Sequence, residues 1–170
     1  MVSYIFAYGS LVDKESREST IKTDLVYKCE LEGKYIRFWT YHPRNHSQLV
    51  LGMSQHITKG KINGVLLVVD DDMLSKLDER EYRYIRVELD KKELVINKVL
   101  DSDIPLYTYL LHRDRDIKIE NTLANSRYMY ICFRGFLAYG EAYIKQFIET
   151  TDGWKYDWME YYVDTYKKIC

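Results

Sequence analysis

The first stretch of the sequence that could do chemistry is the segment from Tyr4 to Leu11, which reads YIFAYGSL. Its residues alternate between two faces until Gly9 and Ser10 stop the pattern, as expected for a β-strand that ends in a turn. Glycine permits the close approach of a ligand, and serine adds a hydroxyl and a backbone N–H group. Successive N–H groups of such a turn can bind a carboxylate or a developing oxyanion. The alternative is an ordinary connecting turn, because Gly-Ser pairs are common in connectors.

The second stretch runs from Leu77 to Val87 and reads LDEREYRYIRV. It lies where the residue pattern predicts that a short helix meets a strand. A glutamate at this junction could exchange a proton near neutral pH if burial raised its pKa. Judged from its neighbours alone, however, Glu81 is most simply a surface carboxylate paired with Arg83 or Arg86.

Length and composition predict one globular domain. A chain of 170 residues can bury a substantial core, and 46% hydrophobic with 30% charged residues is typical of globular proteins. The formal net charge of −1 gives no overall field for nucleic acid or an anionic membrane, so we expect neither as a partner. The sequence also contains no apolar run long enough for a membrane helix and no signal-peptide pattern at its start.

The cysteine and histidine positions predict neither a disulfide framework nor a metal site. The chain has three cysteines that lie far apart in sequence: Cys29, Cys132 and Cys170. Their odd number and the lack of a CxxC pair favour reduced thiols and a cytoplasmic location. His42 and His46 have the spacing of two metal ligands on a helix, but Pro43 argues against that helix. We therefore expect no metal site.

Runs of β-prone residues predict a sheet built from antiparallel pieces. The runs 25–27 and 35–39, separated by a segment around Gly33, predict a hairpin. The near-continuous apolar run 62–69 suits a central strand that is buried on both faces. Further strands are predicted at 49–53, 84–89, 93–100 and 105–111. The last three predict a meander, in which each strand pairs with the next.

Helices are predicted after the acidic triplet 70–72 and in the last third of the chain. The triplet can cap a short helix from about Asp71 to Asp78; a calcium loop is the alternative, but the spaced ligands of an EF-hand are missing. From about Asn125 the apolar residues adopt a helical period over two helices. The last helical stripe, from Trp154 to Ile169, is rich in aromatic residues, so we expect it to pack on the domain or on a second copy.

Taken together, the two stretches resemble the motifs of the γ-glutamylcyclotransferase-like superfamily. Its members carry an aromatic-x-Tyr-Gly-Ser strand and turn and, further on, a Leu-Asp-x-x-Glu or Arg-Glu motif before Tyr-x-Arg-Val; both occur here in that order. Tyr128, followed by Gly135 and Gly140, resembles the family's tyrosine-containing helix and small-residue helix contact. The resemblance implies an α+β fold, with a small mixed β-barrel or strongly curved sheet and flanking helices. It covers residues 2–152, so we assign 1–152 to this domain and 153–170 to a carboxyl-terminal helical extension.

The resemblance also implies an activity. Family members cleave a γ-glutamyl amide by letting the α-amine of the substrate attack its own γ-carbonyl, which releases 5-oxoproline without any cofactor. The position that matches the acid–base glutamate of the family is Glu81. The turn and two later tyrosines are implied to bind the substrate: Tyr8, Gly9, Ser10, Leu11, Tyr84 and Tyr128.

Two departures from the family pattern leave the leaving group open. Many relatives have glycine directly after the catalytic glutamate, where this chain has Tyr82 and Arg83. Glutathione-cleaving relatives usually carry a bulky residue just after the turn, where this chain has Val12 and Asp13. The leaving group can therefore be an amino acid, a peptide or an amine, the last as in γ-glutamylamine cyclotransferases.

One alternative belongs to a different functional class. It is a catalytically silent ligand-binding domain that keeps the pocket and works through a partner docked on the aromatic final helix. The carboxylate at position 81 argues against this alternative, because a silent domain has no need of it. The same helix could also join two copies of the chain as a homodimer.

Overall fold

The computed structural model describes residues 1–42, 45–111 and 126–154. In chain order, the strands are β1 (Val2–Ala7), β2 (Val26–His42), β3 (Asn45–Asp70), β4 (Ile85–Glu88), β5 (Leu94–Ile96), β6 (Leu106–Leu110) and β7 (Thr151–Asp152). The helices are α1 (Lys14–Glu18), α2 (Asp71–Arg80), α3 (Ser126–Leu137) and α4 (Glu141–Glu149). Single 3₁₀ turns lie at Ser10–Val12 and Lys91–Glu93.

The strands form one strongly curled, half-barrel sheet with helices against it. Its order is β4-β6-β1-β3-β2-β5, and β7 also pairs with β2. Strand β1 runs antiparallel to β3 and parallel to β6, so the sheet is mixed. The expected α+β class with a strongly curved mixed sheet is therefore confirmed.

The apolar run 62–69 forms the second half of β3 and is the central strand that its composition predicts. Leu66 pairs with Phe6 of β1 on one side and with Tyr27 of β2 on the other. Its side chain is fully buried, as are those of Val65 and Leu67. Hydrogen bonds along both edges of β3 and apolar contacts on both of its faces hold this strand in place, and β3 in turn pairs with β1. Strand β1 leads directly into the Gly9-Ser10 turn.

The predicted hairpin around Gly33 is wrong. The runs 25–27 and 35–39 belong largely to one strand, β2, which is 17 residues long and continues through Gly33 with a shift of register before Tyr35. Gly33 pairs with Gly60 of β3, where an added Cβ would lie 2.6 Å from the carbonyl oxygen of Tyr35. The glycines therefore mark a bulge between two long paired strands, and the runs 49–53 and 62–69 likewise share β3.

The predicted meander is also wrong. Strand β4 pairs with β6, but β5, which lies between them in sequence, pairs with β2 at the opposite edge of the sheet. Alternation of apolar residues indicates which side of a strand is buried, yet it carries no information about which strand lies beside it. Strand β5 is also shorter than expected, with only residues 94–96 in the ladder.

The helices follow the predicted pattern more closely. Helix α2 begins at Asp71, and the Asp70 carboxylate accepts a hydrogen bond from the Met73 N–H at 2.8 Å, as an N-cap does. It extends two residues beyond the expected end, to Arg80. Helices α3 and α4 account for the two predicted after Asn125. Apart from Trp154, the final aromatic stripe lies outside the described residues.

Candidate functional site

Most of the residues implied by the two motifs surround one small cavity beside the end of β1. Those predicted from the sequence are Tyr8, Gly9, Ser10, Leu11, Glu81, Tyr84 and Tyr128. The others that line it are Phe6, Ala7, Leu51 and Tyr109. Segments that are distant in sequence thus meet at one place, because β1, β3, the end of α2, β6 and α3 all border it.

The floor of the cavity is the turn after β1. Within the 3₁₀ turn, the N–H groups of Val12 and Asp13 donate to the carbonyl oxygens of Gly9 and Ser10 at 3.0 and 3.2 Å. The preceding N–H groups, of Gly9, Ser10 and Leu11, make no hydrogen bond within the part of the chain that the structure describes. Unpaired N–H groups are normal in the first turn of a helix, and here they border the cavity.

Helix α3 packs directly against this turn. An added Cβ at Gly135 would lie 2.6 Å from the backbone nitrogen of Asp13, so only glycine allows this approach. The Arg134 guanidinium donates to both carboxylate oxygens of Asp13 at 2.7 Å, which fixes the helix in place. The same helix carries Tyr128, whose hydroxyl oxygen would lie 3.3 Å from a Cβ at Gly9.

Glu81 enters the cavity from the carboxyl end of α2. Its backbone is fixed on both sides, because its N–H donates to the Leu77 carbonyl at 2.8 Å and its carbonyl accepts from the Tyr84 N–H at 2.7 Å. Its side chain is only 15% exposed, and its Oε1 lies 3.3 Å from Nε of Arg80. The alternative of an exposed carboxylate paired with Arg83 or Arg86 is therefore wrong.

The burial of Glu81 has an electrostatic consequence. Loss of hydration raises the pKa of the Glu81 carboxyl above its usual value, and the charge and hydrogen bond of Arg80 lower it by less. The net effect is a raised pKa, which brings the carboxyl closer to the range where it can both accept and return a proton.

Three residues that precede Glu81 in the second stretch, Leu77, Asp78 and Arg80, each hold one part of this site. Leu77 is fully buried in the core. The Asp78 carboxylate accepts from the Tyr109 hydroxyl at 2.8 Å and pairs with Arg86 at 2.5 Å. Arg80 reaches across to Ser10 of the turn, where its Nη2 lies 3.1 Å from the hydroxyl oxygen. The motif therefore docks α2, the cavity wall and the turn against one another.

The tyrosine hydroxyls around the cavity are bonded to the protein. The Tyr84 hydroxyl donates to the Leu51 carbonyl at 2.9 Å, and the Leu51 N–H donates to the Tyr128 hydroxyl at 3.4 Å. The Tyr8 hydroxyl donates to the Tyr109 carbonyl at 2.7 Å. Burial raises the pKa of all four phenols, so they stay neutral. They form rigid uncharged walls around Glu81.

Sequence reasoning does not identify Leu51, Tyr109 or Arg80 as part of this site. Leu51 and Tyr109 lie in ordinary strand patterns, and nothing in the sequence sets them apart, because strand pairing alone brings them to the cavity. Arg80 was visible only as the neighbour of Glu81. In contrast, Tyr82, the departure from the family pattern, is 58% exposed and does not line the cavity.

No group of three or more His, Cys, Asp or Glu side chains that could hold a metal occurs among the residues that the structure describes. Cys29 and Cys132 are buried free thiols. The side chains of His42 and His46, and Cys170, lie outside the described part. No helix in the described ranges is long and apolar enough to cross a membrane.

Comparison with known proteins gives a family and a fold. Residues 5–129 match the sequence model of the family described as gamma-glutamyl cyclotransferase, AIG2-like. No curated protein matches the chain. The match to the family model spans both motif regions and more than half of the chain.

Three solved structures illustrate the shared fold. One named gamma-glutamyl cyclotransferase has a TM-score of 0.61 at 15% identity, with 97% of this chain and 99% of that chain covered. An uncharacterized protein from Homo sapiens gives 0.60 at 16% identity, with 91% of each chain covered. A yeast gamma-glutamyl cyclotransferase specific to glutathione gives 0.54 at 11% identity, with 88% and 95% covered. At these identities the likeness concerns the fold.

Proposed function

We propose that this chain, which belongs to the gamma-glutamyl cyclotransferase, AIG2-like family, releases 5-oxoproline from a γ-glutamyl amide, with Glu81 as its acid–base residue. The observation that supports this proposal best is the meeting of Glu81 with the turn from Tyr8 to Leu11 around one cavity. A buried carboxyl with a raised pKa beside unpaired N–H groups provides the two functions that this cyclisation requires.

Proton transfer is the first function. The α-ammonium group of the substrate has a pKa of about 8, so at neutral pH it must lose a proton before its nitrogen can attack. Glu81 accepts that proton, the nitrogen forms a bond to the γ-carbonyl carbon, and the bond from that carbon to the leaving nitrogen breaks. Glu81 then returns a proton to the leaving amine, so no water is consumed and no cofactor takes part.

Stabilisation of negative charge is the second function. The N–H groups of Gly9, Ser10 and Leu11 would bind the glutamyl carboxylate and the oxygen that becomes negative during attack. The reaction joins two groups of one molecule. Binding the substrate in a folded conformation holds the amine close to the γ-carbonyl, so less entropy is lost on the way to the transition state. The neutral walls of Tyr84 and Tyr128 would keep the glutamyl part in that conformation and away from bulk water.

The leaving group can be an amino acid, a peptide or an amine. Tyr82 and Arg83 stack on each other, with the guanidinium carbon 4.5 Å from the ring centroid. Neither residue lines the cavity at Glu81, to which we assign the glutamyl part. A choice among leaving groups would then be made beyond this cavity, and we propose the γ-glutamyl amide as the substrate class without narrowing it further.

The test is a panel of γ-glutamyl amino acids, glutathione and γ-glutamylamines, incubated with the protein and assayed for 5-oxoproline by mass spectrometry. Matched α-glutamyl isomers are the control, because they have no γ-amide to cleave. We expect 5-oxoproline from at least one γ-glutamyl compound and from none of the controls. Binding by calorimetry without product would overturn the enzyme proposal and favour the silent ligand-binding alternative.

A further inference from the structure

Arg80 is the residue that joins the two halves of the site. It ends α2, is 21% exposed, and its Nε lies 3.3 Å from Oε1 of Glu81. Nη2 donates to the hydroxyl oxygens of Ser10 at 3.1 Å and of Ser16 at 2.9 Å. Nη1 donates to the Ser16 carbonyl at 2.7 Å and to the Thr20 hydroxyl at 2.9 Å. One guanidinium thus contacts Glu81, the turn and α1 together.

We propose that Arg80 is a positioning residue of the reaction, which fixes the Glu81 carboxylate relative to the Gly9–Leu11 turn. This inference rests on the proposed function, because it assigns Arg80 a part in the same chemistry. Proton transfer requires the donor and acceptor to lie within hydrogen-bond reach, so small displacements of Glu81 from the turn are costly. The planar fork of an arginine can hold several acceptors at fixed angles, and the single ammonium group of a lysine cannot.

The position of Arg80 also gives it control over the ionisation of Glu81. The other titratable groups that interact with Glu81 come from the turn after β1, the segment after α2, β6 and α3, and are the phenols of Tyr8, Tyr84, Tyr109 and Tyr128. All four stay neutral because burial raises their pKa values. The nearby Asp78 and Arg86 pair with each other. The Arg80 charge is therefore the one that lowers the pKa of the Glu81 carboxyl against the effect of burial.

Two substitutions separate charge from geometry. Arg80→Met keeps much of the side-chain stem but removes the charge and every donor, so the pKa of Glu81 should rise. The acidic limb of the kcat/KM profile should then move to higher pH, by about one unit or more, with turnover at neutral pH lowered at least tenfold. Arg80→Lys keeps the charge, so its acidic limb should stay close to that of the wild type while kcat remains reduced.

The control is Lys76→Met, which removes a cation from the same helix whose ion pair, with Asp72, lies at the surface. We expect its pH profile and turnover to match the wild type. The Glu81 carboxyl is also titrated directly by carbon-13 NMR in the folded wild type and variants, which needs no activity. A melting temperature for each variant verifies that the titrated protein is folded.

Three outcomes are decisive. A raised pKa of Glu81 in Arg80→Met together with the displaced acidic limb supports the inference. An unchanged pKa and limb in folded Arg80→Met, with only a lower melting temperature, overturns it, because Arg80 would then merely tie α2 to α1. If the wild type makes no 5-oxoproline from the panel, the proposed function is wrong and the reaction role of Arg80 falls with it, whatever the NMR titration gives.

Discussion

Two cavities in the described part of the molecule, both bordered by β3, differ in volume, burial and charge. The cavity at Glu81 has a volume of only about 30 Å³, whereas the one beside the Gly33 bulge has about 950 Å³. The larger cavity is lined by Glu32, Gly33, Lys34, Tyr35, Gln55, His56, Gly60, Lys61, Lys92 and Glu93. It carries more charge, but its charged groups are in water.

The difference shows that burial, not volume, makes a carboxylate suitable for proton transfer. In the larger cavity, the Lys61 side chain is 46% exposed, and its ammonium group pairs with the carboxylates of Glu30 and Glu32 at the surface. In the smaller cavity, Glu81 is buried among neutral tyrosines, and its pKa is raised. A group that is hydrated and paired has no reason to exchange protons near pH 7, whereas a buried one has.

The largest difference in turnover should appear when one carboxylate in each cavity is replaced by its amide, and the first such substitution is Glu81→Gln. The amide is nearly isosteric, but it can neither accept a proton from an ammonium group nor return one to a leaving amine. We expect turnover to fall by about 100-fold to 10,000-fold, with the affinity for a γ-glutamyl ligand changed much less. The matched control is Glu93→Gln in the larger cavity, which should leave turnover unchanged. Wild-type turnover in Glu81→Gln would show that the proton acceptor is another group.

A second contrast concerns two cations, the buried Arg37 and the half-exposed Lys61 at the larger cavity. Arg37 is fully buried beneath the turn, and its six hydrogen bonds all go to neutral oxygens, including the carbonyls of Tyr8 at 3.2 Å and Asn63 at 2.7 Å. Burial lowers its pKa to about 9. The guanidinium also lies 4.5 Å from the ring centroid of Phe147. It therefore joins β1, β2, β3 and the end of α4 at one point.

Removing this cation should damage folding, whereas removing its counterpart at the larger cavity should not. Arg37→Met leaves several buried oxygens without a donor, and each such loss costs about 1–3 kcal/mol. We expect the free energy of unfolding to fall by about 3 kcal/mol or more, measured by urea denaturation. Lys61→Met removes a half-exposed ammonium group and should leave the denaturation midpoint nearly unchanged. Similar losses for the two variants would contradict this distinction.

The third prediction concerns the close contact between the turn and α3. Gly9→Ala places a methyl group 3.3 Å from the Tyr128 hydroxyl oxygen. We expect kcat/KM to fall by about tenfold to a hundredfold, because displacing groups within a preformed site is costly. Tyr128→Phe removes that oxygen, so adding Gly9→Ala to it should cost much less than adding it to the wild type. Additive effects in this double-mutant cycle would mean that the contact does not limit the site.

These contrasts also show how much of the site can be predicted from the sequence. The Gly9-Ser10 turn and the start of α2 follow from local signals, namely a strand that stops at glycine and an aspartate that caps the helix. That these two segments lie close to each other follows from the family resemblance. The resemblance also suggested Tyr128, whose position depends on the Gly135 contact with the turn.

Long-range pairing accounts for what could not be predicted. The pattern around Gly33 predicts a hairpin turn, because a bulge between long strands and a turn use the same residues. The alternation of β5 predicts a meander, although it is equally compatible with either edge of the sheet. Arg37 stands among aromatic residues in a strand, and only the assembled sheet reveals that it is fully buried. Each error concerns a neighbour that is distant in sequence.

The smallest expected effect is the pH dependence of folding stability that the burial of Glu81 causes. Glu81 binds its proton more tightly in the folded than in the unfolded state, because its folded pKa is raised. Ionising it therefore costs stability as the pH rises from the usual glutamate pKa of about 4.3 through the raised value, and the cost is complete above the raised value. Glutamine does not ionise, so Glu81→Gln should be more stable than the wild type at pH 7. Each kcal/mol gained corresponds to a rise in Tm of about 2–4 °C for a chain of this length.

This gain should vanish at pH values below about 4, where Glu81 is protonated in both states. Calorimetric Tm values for the wild type and Glu81→Gln between pH 4 and pH 8 measure the difference directly. The matched control is Glu93→Gln, whose carboxylate lines the open, charged cavity, measured over the same pH range. If Glu81→Gln were less stable than the wild type at pH 7, the Arg80 ion pair would outweigh burial. The pKa of Glu81 would then lie below its usual value, and the carboxyl would be a structural anchor and no longer a base suited to the reaction.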